Sequence, residues 1–313
     1  MTKFELNVRK ERLLNCLRCS NKEIRHQHQE NNGICTTVKG TDGFPLRCVG
    51  SWANDKIYYL TRYFDIFSCG MHKKWPQSIH YIEICSGPGR CSTRDGYEQD
   101  GTALAIVRHP SFNYIKDALF VDYDEKVVSI LNERLKALGK AEKAHAILGD
   151  YNNFNELCKQ ISHNGITLCL IDPTDCSVPF ETIKKINQKT NNHCDFIISF
   201  FDKIDFNRNG IMAYEKQNNS LMEKYQRFLG LSDFYKRNDV IDLIQKKANS
   251  ELSRLFREEY IRQLSAIGLR FNDTVNVGSK YHLVFASNNQ RGLEFWKKAN
   301  KKCTPSGQTV LDL

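Results

Sequence analysis

The segment Tyr81-Ile-Glu-Ile-Cys-Ser-Gly-Pro-Gly89 constrains this chain's fold more than any other stretch of its 313 residues. An apolar run that breaks into Gly-Pro-Gly is a buried strand forced into a sharp turn. Such a turn needs positive φ and a backbone without Cβ where a ligand comes close. Gly87 and Gly89 supply both. The pattern predicts an α/β domain with a nucleotide-like ligand at the carboxyl edge of its sheet. Ser92 stands where the last glycine of a dinucleotide fingerprint would fall, which disfavours NAD and FAD. The alternative is a tight strand-to-helix connection whose glycines serve packing alone.

Hydrophobic periodicity around this turn repeats the strand–helix unit. Ile57, Leu60, Phe64 and Phe67 predict an amphipathic helix over 53–69, and strand one follows at 80–85. Arg90 to Gly101 is expected to be a polar loop, either a flap over a ligand or a surface insertion, before Thr102 caps a short helix through 108. Ala118–Asp122 predicts strand two, 145–148 strand three, Ile166–Ile171 strand four and Asp195–Phe200 strand five. Helices are expected at 179–189 and around Leu221–Phe228 and Leu252–Ile267, with a helical insertion at about 205–250. Two β-runs flanking Gly278-Ser279 predict a closing antiparallel hairpin.

Carboxylates recur at the strand ends. Asp122 is positioned to accept both ribose hydroxyls of a bound nucleoside, while Asp124 has a ready role as a helix N-cap. Asp150 fits either an adenine amino group or a turn. Asp172-Pro173-Thr174 closes strand four, where a carboxylate can orient an incoming nucleophile and Pro173 stiffens the turn. Asp-Pro-Pro-Tyr, common at this place in enzymes that methylate amino groups of nucleic acid, is matched only as far as Pro173, so the accepting atom stays open.

No run of apolar residues is long enough to span a bilayer, and the polar start lacks a secretory h-region, so a cytoplasmic protein with no membrane association is expected. The 12 cysteines are scattered through a large domain and predict reduced thiols. Cys16, Cys19, Cys35 and Cys48 depart from the usual zinc spacing, so no metal is assigned, and His26 and His28 are too close together to complete a site. Of the net charge of +9, residues 1–50 and 291–302 each carry +4. Basic ends on a neutral body suit a polyanion such as nucleic acid, or simply a solvated surface. Residues 1–50, broken by Gly and Pro, are expected to be a loosely structured Cys-containing appendage to the domain at 51–313.

Glu83 followed by Gly87-Pro88-Gly89 resembles the first motif of class I S-adenosylmethionine-dependent methyltransferases. Five βα units closed by a hairpin match that family's Rossmann-like, mostly parallel sheet. From about Cys35 onward the chain also resembles three-Cys-motif partner proteins. That resemblance rests on Asp42-Gly-Phe-Pro45, Val49-Gly-Ser-Trp52 with Asp55-Lys56, Ile171-Asp-Pro-Thr174, and Tyr281 to Ser287 with Phe295-Trp296. The sequence departs from those relatives at Glu83, Cys85, Ser86 and Asp175. The resemblances imply that Glu83, Ser86, Gly87, Pro88 and Gly89 hold the methionine end of S-adenosylmethionine, Asp122 its ribose and Asp150 its adenine. Asp172, Pro173 and Thr174 would face the acceptor. Two functions follow: a methyltransferase acting on DNA or RNA, or a degenerate methyltransferase-fold adaptor that binds a three-Cys-motif protein or nucleic acid.

Overall fold

The computed structural model describes residues 34–50, 52–93, 97–153, 157, 159–162 and 164–301. Cys16, Cys19, His26 and His28 lie outside them. The chain builds two sheets. The smaller has four strands, β1 (Ile34–Lys39), β2 (Pro45–Val49), β4 (Arg90–Thr93) and β5 (Glu98–Asp100), ordered β1-β2-β4-β5. The larger has seven: β3 (Ile79–Ile84), β6 (Ile115–Asp122), β7 (Ala144–Leu148), β8 (Ile166–Ile171), β9 (Cys194–Phe200), β10 (Phe271–Val277) and β11 (Tyr281–Ser287). Its order is β10-β11-β9-β8-β3-β6-β7. The run β9-β8-β3-β6-β7 is parallel throughout, and β11 lies antiparallel between β9 and β10. The hairpin predicted around Gly278 thus inserts its second strand against β9, in register from Ala286↔Phe196 to His282↔Phe200.

The central strands are mostly apolar because helices cover both faces. β3 and β9 are buried at every residue. One face packs under α1 (Ala53–Met71), where Tyr59, Leu60, Tyr63, Phe64 and Phe67 are buried, and under α9 (Gln290–Ala299), whose Trp296 stacks on Phe285. α2 (Thr102–Arg108) also packs against α1. α3 (Glu125–Ala137) follows β6, capped by the Asp124 carboxylate on the amides of Lys126 and Val127, as the sequence predicts. Gly139 ends it with φ +63°.

The other face carries α4 (Phe180–Lys189) and the helices between β9 and β10: α5 (Asn207–Glu215), α6 (Asn219–Leu229), α7 (Asn238–Gln245) and α8 (Asn249–Ala266). An aromatic cluster fills the space below them. Phe256 stacks on Phe206 at 3.7 Å, and Phe200 sits 4.9 Å from Tyr260. Between β7 and β8, Leu157 and Ile161 are buried.

Three local expectations are corrected. Residues 34–49, expected to be loosely structured, form the β1–β2 hairpin, and β2 pairs with β4 from Arg47↔Cys91 to Val49↔Thr93. The stretch 90–101, expected to be a polar loop, supplies β4 and β5 to the same sheet. Its polar residues are bound into ion pairs: Arg90 reaches Glu98 at 2.5 Å, and the amide of Thr41 donates to Glu98. Thr102 does not cap α2 either. Gly101 takes the N-cap position, and the Thr102 hydroxyl turns inward to the site.

Candidate functional site

The carboxyl edge of the large sheet gathers the strand-end carboxylates around the glycine turn. Cys85 and Ser86 both donate their amides to the Val121 carbonyl, at 2.9 and 3.0 Å, so the chain leaves β3 still pinned to β6. Cys85 then takes φ +67°, a left-handed conformation that strains a residue with a side chain. Gly87 and Gly89 follow at φ +66° and +87°. A Cβ on Gly89 would lie 2.8 Å from Leu131 and 3.0 Å from Leu104, so this glycine lets two helices close on the turn. A Cβ on Gly87 would lie 3.1 Å from Arg47 Nη1, so this one leaves room on the open side.

Asp122 holds the turn in place. Its Oδ2 accepts from the Gly87 amide at 2.9 Å and its Oδ1 from the Asp124 amide at 3.2 Å. Pro88 is fixed from the other side, its carbonyl accepting from the Arg134 guanidinium at 2.5 Å. Ser86 is 7% exposed, and its hydroxyl has no partner among the described residues, a polar atom left at the turn in need of one.

Glu83 is fully buried at the foot of the turn. Its carboxylate accepts from the Thr102 hydroxyl at 2.5 Å and from the Tyr81 hydroxyl at 2.8 Å. Burial pushes its pKa up to about 8, aided by the field of Asp172 and opposed by the two hydroxyls and by Lys56. The Cys85 thiol is driven far above its ordinary range by burial and by Asp122, which makes it a poor nucleophile.

Asp172 ends β8, its amide bonded to the Ile84 carbonyl at 3.0 Å, which sets it directly beside the glycine turn. Its carboxylate is ion-paired with Lys56 in the first turn of α1, and it accepts from Ser199 of β9 at 2.6 Å. Burial works against the Lys56 charge, but the facing Asp172 outweighs it and keeps the ammonium protonated. Tyr281 lies against this cluster, stacked on Phe201 at 4.6 Å. Pro173 is buried and Thr174 is exposed.

Asp150 stands apart from this cluster. It is exposed, and its carboxylate accepts from the Asn152 amide at 2.8 Å, as in a turn. It borders a 490 Å³ cavity with Tyr123, Leu148, Gly149, Asn153 and Gln160. Tyr123 and Leu148 are 57% and 58% exposed there, an unusual outlay of apolar surface at two adjacent strand ends.

Glu83, Ser86, Gly87, Pro88, Gly89, Asp122 and Asp172 therefore converge on one turn, whereas Asp150 lies apart, at the neighbouring cavity. Sequence reasoning missed Lys56, Thr102, Ser199, Tyr281 and Arg47 as parts of this edge. Lys56 and Tyr281 carried a signal, as members of the Asp55-Lys56 and Tyr281–Ser287 motifs. Among the described residues no cluster of His, Cys, Asp or Glu could hold a metal ion, and no helix is long and apolar enough to cross a membrane.

No family model and no curated protein matches the sequence. Among solved structures, the chain is similar to a methyltransferase from Geobacter sulfurreducens at 12% identity, over 85% of this chain and 87% of that one, with a TM-score of 0.37. It is similar to an S-adenosylmethionine-dependent methyltransferase from Clostridium acetobutylicum at 16% identity, over 46% of this chain and 52% of that one, with a TM-score of 0.30. An rRNA methylase from Streptococcus thermophilus is similar at 10% identity, over 71% of this chain and 93% of that one, with a TM-score of 0.34. The chain spans about half the length of several of the solved structures it matches. Independently of these likenesses, five parallel strands with an antiparallel β11 inserted beside β9 give the Rossmann-like, mostly parallel sheet closed by a hairpin that the sequence predicts.

Proposed function

We propose that this chain is an S-adenosylmethionine-dependent methyltransferase whose acceptor is nucleic acid. The observation that carries the reading is the turn itself. Two left-handed glycines stand at the carboxyl edge of β3, with a buried carboxylate and an orphaned serine hydroxyl before them. These groups fit the cofactor. Glu83 offers a buried anion for an ammonium, and binding a cation would favour its charged form. Ser86 and the Gly87–Gly89 backbone would hold the rest of the methionine end. Asp122, already turned to the Gly87 amide, keeps lone pairs for ribose hydroxyls. Tyr123 and Leu148 offer apolar faces for the adenine, with Asp150 at the rim of their cavity.

When bound, the cofactor supplies an electrophilic methyl group on a sulfonium. The chain's own contribution is placement, because direct displacement needs little acid–base chemistry. Asp172, held by Lys56 and Ser199 and backed by rigid Pro173, would orient the acceptor. Two features support a polyanionic acceptor. Arg291, Lys297 and Lys298 line α9, and a 640 Å³ groove beside Tyr151 and Asn152 carries Lys184, Lys185 and Arg227 against Glu181 and Glu223, a small excess of positive charge.

The adaptor role, with a three-Cys-motif protein as partner, is favoured by one observation: both oxygens of Asp172 already have protein partners. Calorimetry with S-adenosylmethionine separates the two. Micromolar binding abolished by Gly87→Val, with labelled methyl transferred to RNA or DNA, is expected of the enzyme. No heat at saturating cofactor would defeat it, and binding without transfer to either nucleic acid would leave the adaptor.

A further inference from the structure

The run Val49-Gly-Ser-Trp52 has no part in the reading above, although it ends one helical turn from the Lys56–Asp172 pair. Trp52 is the N-cap residue of α1, and its carbonyl accepts from the Lys56 amide at 3.4 Å. Its indole lies against the Gly50 backbone, where a Cβ would come within 1.9 Å of the ring, so the glycine of this run is the seat of the ring. The β10–β11 turn closes on the same residue: a Cβ on Gly278 would stand 3.9 Å from the Trp52 Cβ. Lys280 of that turn holds its ammonium over the indole, 5.2 Å from the ring centre. The side chain is half-buried, and among the described residues no other aromatic ring packs on it.

The charge around this ring is mostly positive. Lys203, just past the end of β9, donates to the Asn276 side chain at 2.7 Å, and neither it nor Lys280 has an ion-pair partner among the described residues. Lys56 and Asp172 neutralise each other. The acidic group on this side is Asp55, exposed in the first turn of α1, whose field reaches Tyr281. An open aromatic face flanked by cations is what a single strand of nucleic acid requires, since its bases stack and its phosphates meet ammonium groups. The loop after β8 offers a base no ring, because Thr174 follows Pro173. Tyr281 and Phe201 are buried and stacked on each other, which leaves Trp52 as the open ring on the Asp172 side of the glycine turn.

We propose that Trp52 is the platform on which an unpaired base of the acceptor strand stacks, with Lys280 leaving the ring for that strand's phosphate as the base arrives. The proposal rests on the nucleic-acid methyltransferase reading and names the side chain that the acceptor base meets.

The test is titration of the full chain with short single-stranded RNA and DNA of mixed sequence and with their abasic counterparts, followed by anisotropy of the labelled strand and by tryptophan emission. The natural chain should prefer intact strands to abasic ones and be quenched by them, and Trp52→Phe should lose the quench while keeping most of the preference. Trp52→Ala should weaken intact strands about 5- to 150-fold, the worth of one stacked base, and leave abasic strands unchanged. Lys280→Met should weaken both kinds alike and lower the salt slope by about one. No binding of intact strands, equal binding of intact and abasic strands by the natural chain, or an equal loss of both in Trp52→Ala overturns the proposal. Calorimetry with S-adenosylmethionine then decides the methyltransferase reading separately. If Trp52→Ala does not fold, the natural chain's preference and the quench lost in Trp52→Phe decide.

Discussion

The two sheets of this molecule are held together by opposite means. Around the seven-stranded sheet the contacts are aromatic and dry: Phe200, Phe206, Phe228, Phe256 and Tyr260 pack ring on ring beneath the helices between β9 and β10. Among the described residues the four-stranded sheet has Cys35, Val38 and Leu46 as its small apolar cluster. It is fastened to the domain by arginines, Arg134 through Asp42 and Arg108 through Asp100, while Arg90 and Glu98 tie β4 to β5 within it. The large sheet can therefore stand on its own burial, whereas the small one is stable only where charged clamps meet the glycine turn.

Removing Phe256 should show the first mode of stabilisation. It is fully buried, and Phe256→Ala should cost about 3–5 kcal/mol, seen as a lowered thermal midpoint with both sheets lost together. Arg134→Met should show the second. Breaking a buried, multiply bonded cation costs about 3 kcal/mol, and here the loss should be local. Amide exchange should rise across 34–49 and 90–100 and stay slow in β8 and β9. Uniformly faster exchange would show that the two sheets share one cooperative unit.

The same contrast explains what the sequence reveals. β8 and β9 are covered on both faces, so their apolar runs announce strands without help from the rest of the chain. The hairpin at Gly278 and the cap at Asp124 are local chemistry, legible within a few residues. β1, β2, β4 and β5 are not. Their pairing joins Arg47 to Cys91 across the whole of α1 and β3, and their polar residues look like loop until their ionic partners are known. Thr102 misleads for a related reason: its composition suits a cap, but Glu83 offers its hydroxyl a better acceptor. Within the site, Glu83, Asp122 and Asp172 were legible because a strand end beside a glycine or proline turn fixes where a residue points. Lys56, Ser199 and Arg47 come from three other segments, and no spacing along the chain relates them to the turn.

Glu83 tests whether the large sheet tolerates charge as poorly as its packing implies. Its folded pKa, about 8, lies above the model-peptide value of 4.5. Its favourable contribution is full below the unfolded value and is lost as pH rises through the folded one. The natural chain should therefore lose thermal stability between pH 4.5 and 8, and Glu83→Gln should flatten that slope. An unchanged slope would mean that the buried carboxylate stays charged throughout. Asp42 in the small sheet should behave in the opposite sense. Burial raises its pKa, but the Arg134 and Phe44 hydrogen bonds and the Arg90 charge lower it further. Its contribution is present above 3.8 and lost only as pH falls through the depressed folded value, so acid should loosen residues 34–49 before β8 and β9.

The smallest effect separates charge from burial as the cause of the small sheet's attachment. Lys246 and Asp242 form an ion pair at 2.7 Å, close to the 2.8 Å of Arg134 and Asp42, but their side chains are 66% and 55% exposed. Arg134 is enclosed, so its pair acts through little water and its loss strands a partner. Lys246→Met removes a pair that water already screens, and should cost only about 0.3–0.5 kcal/mol, with amide exchange in the small sheet unaltered. A thermal midpoint that falls as far in Lys246→Met as in Arg134→Met would mean that ion-pair distance, and not enclosure, sets the strength of the clamps.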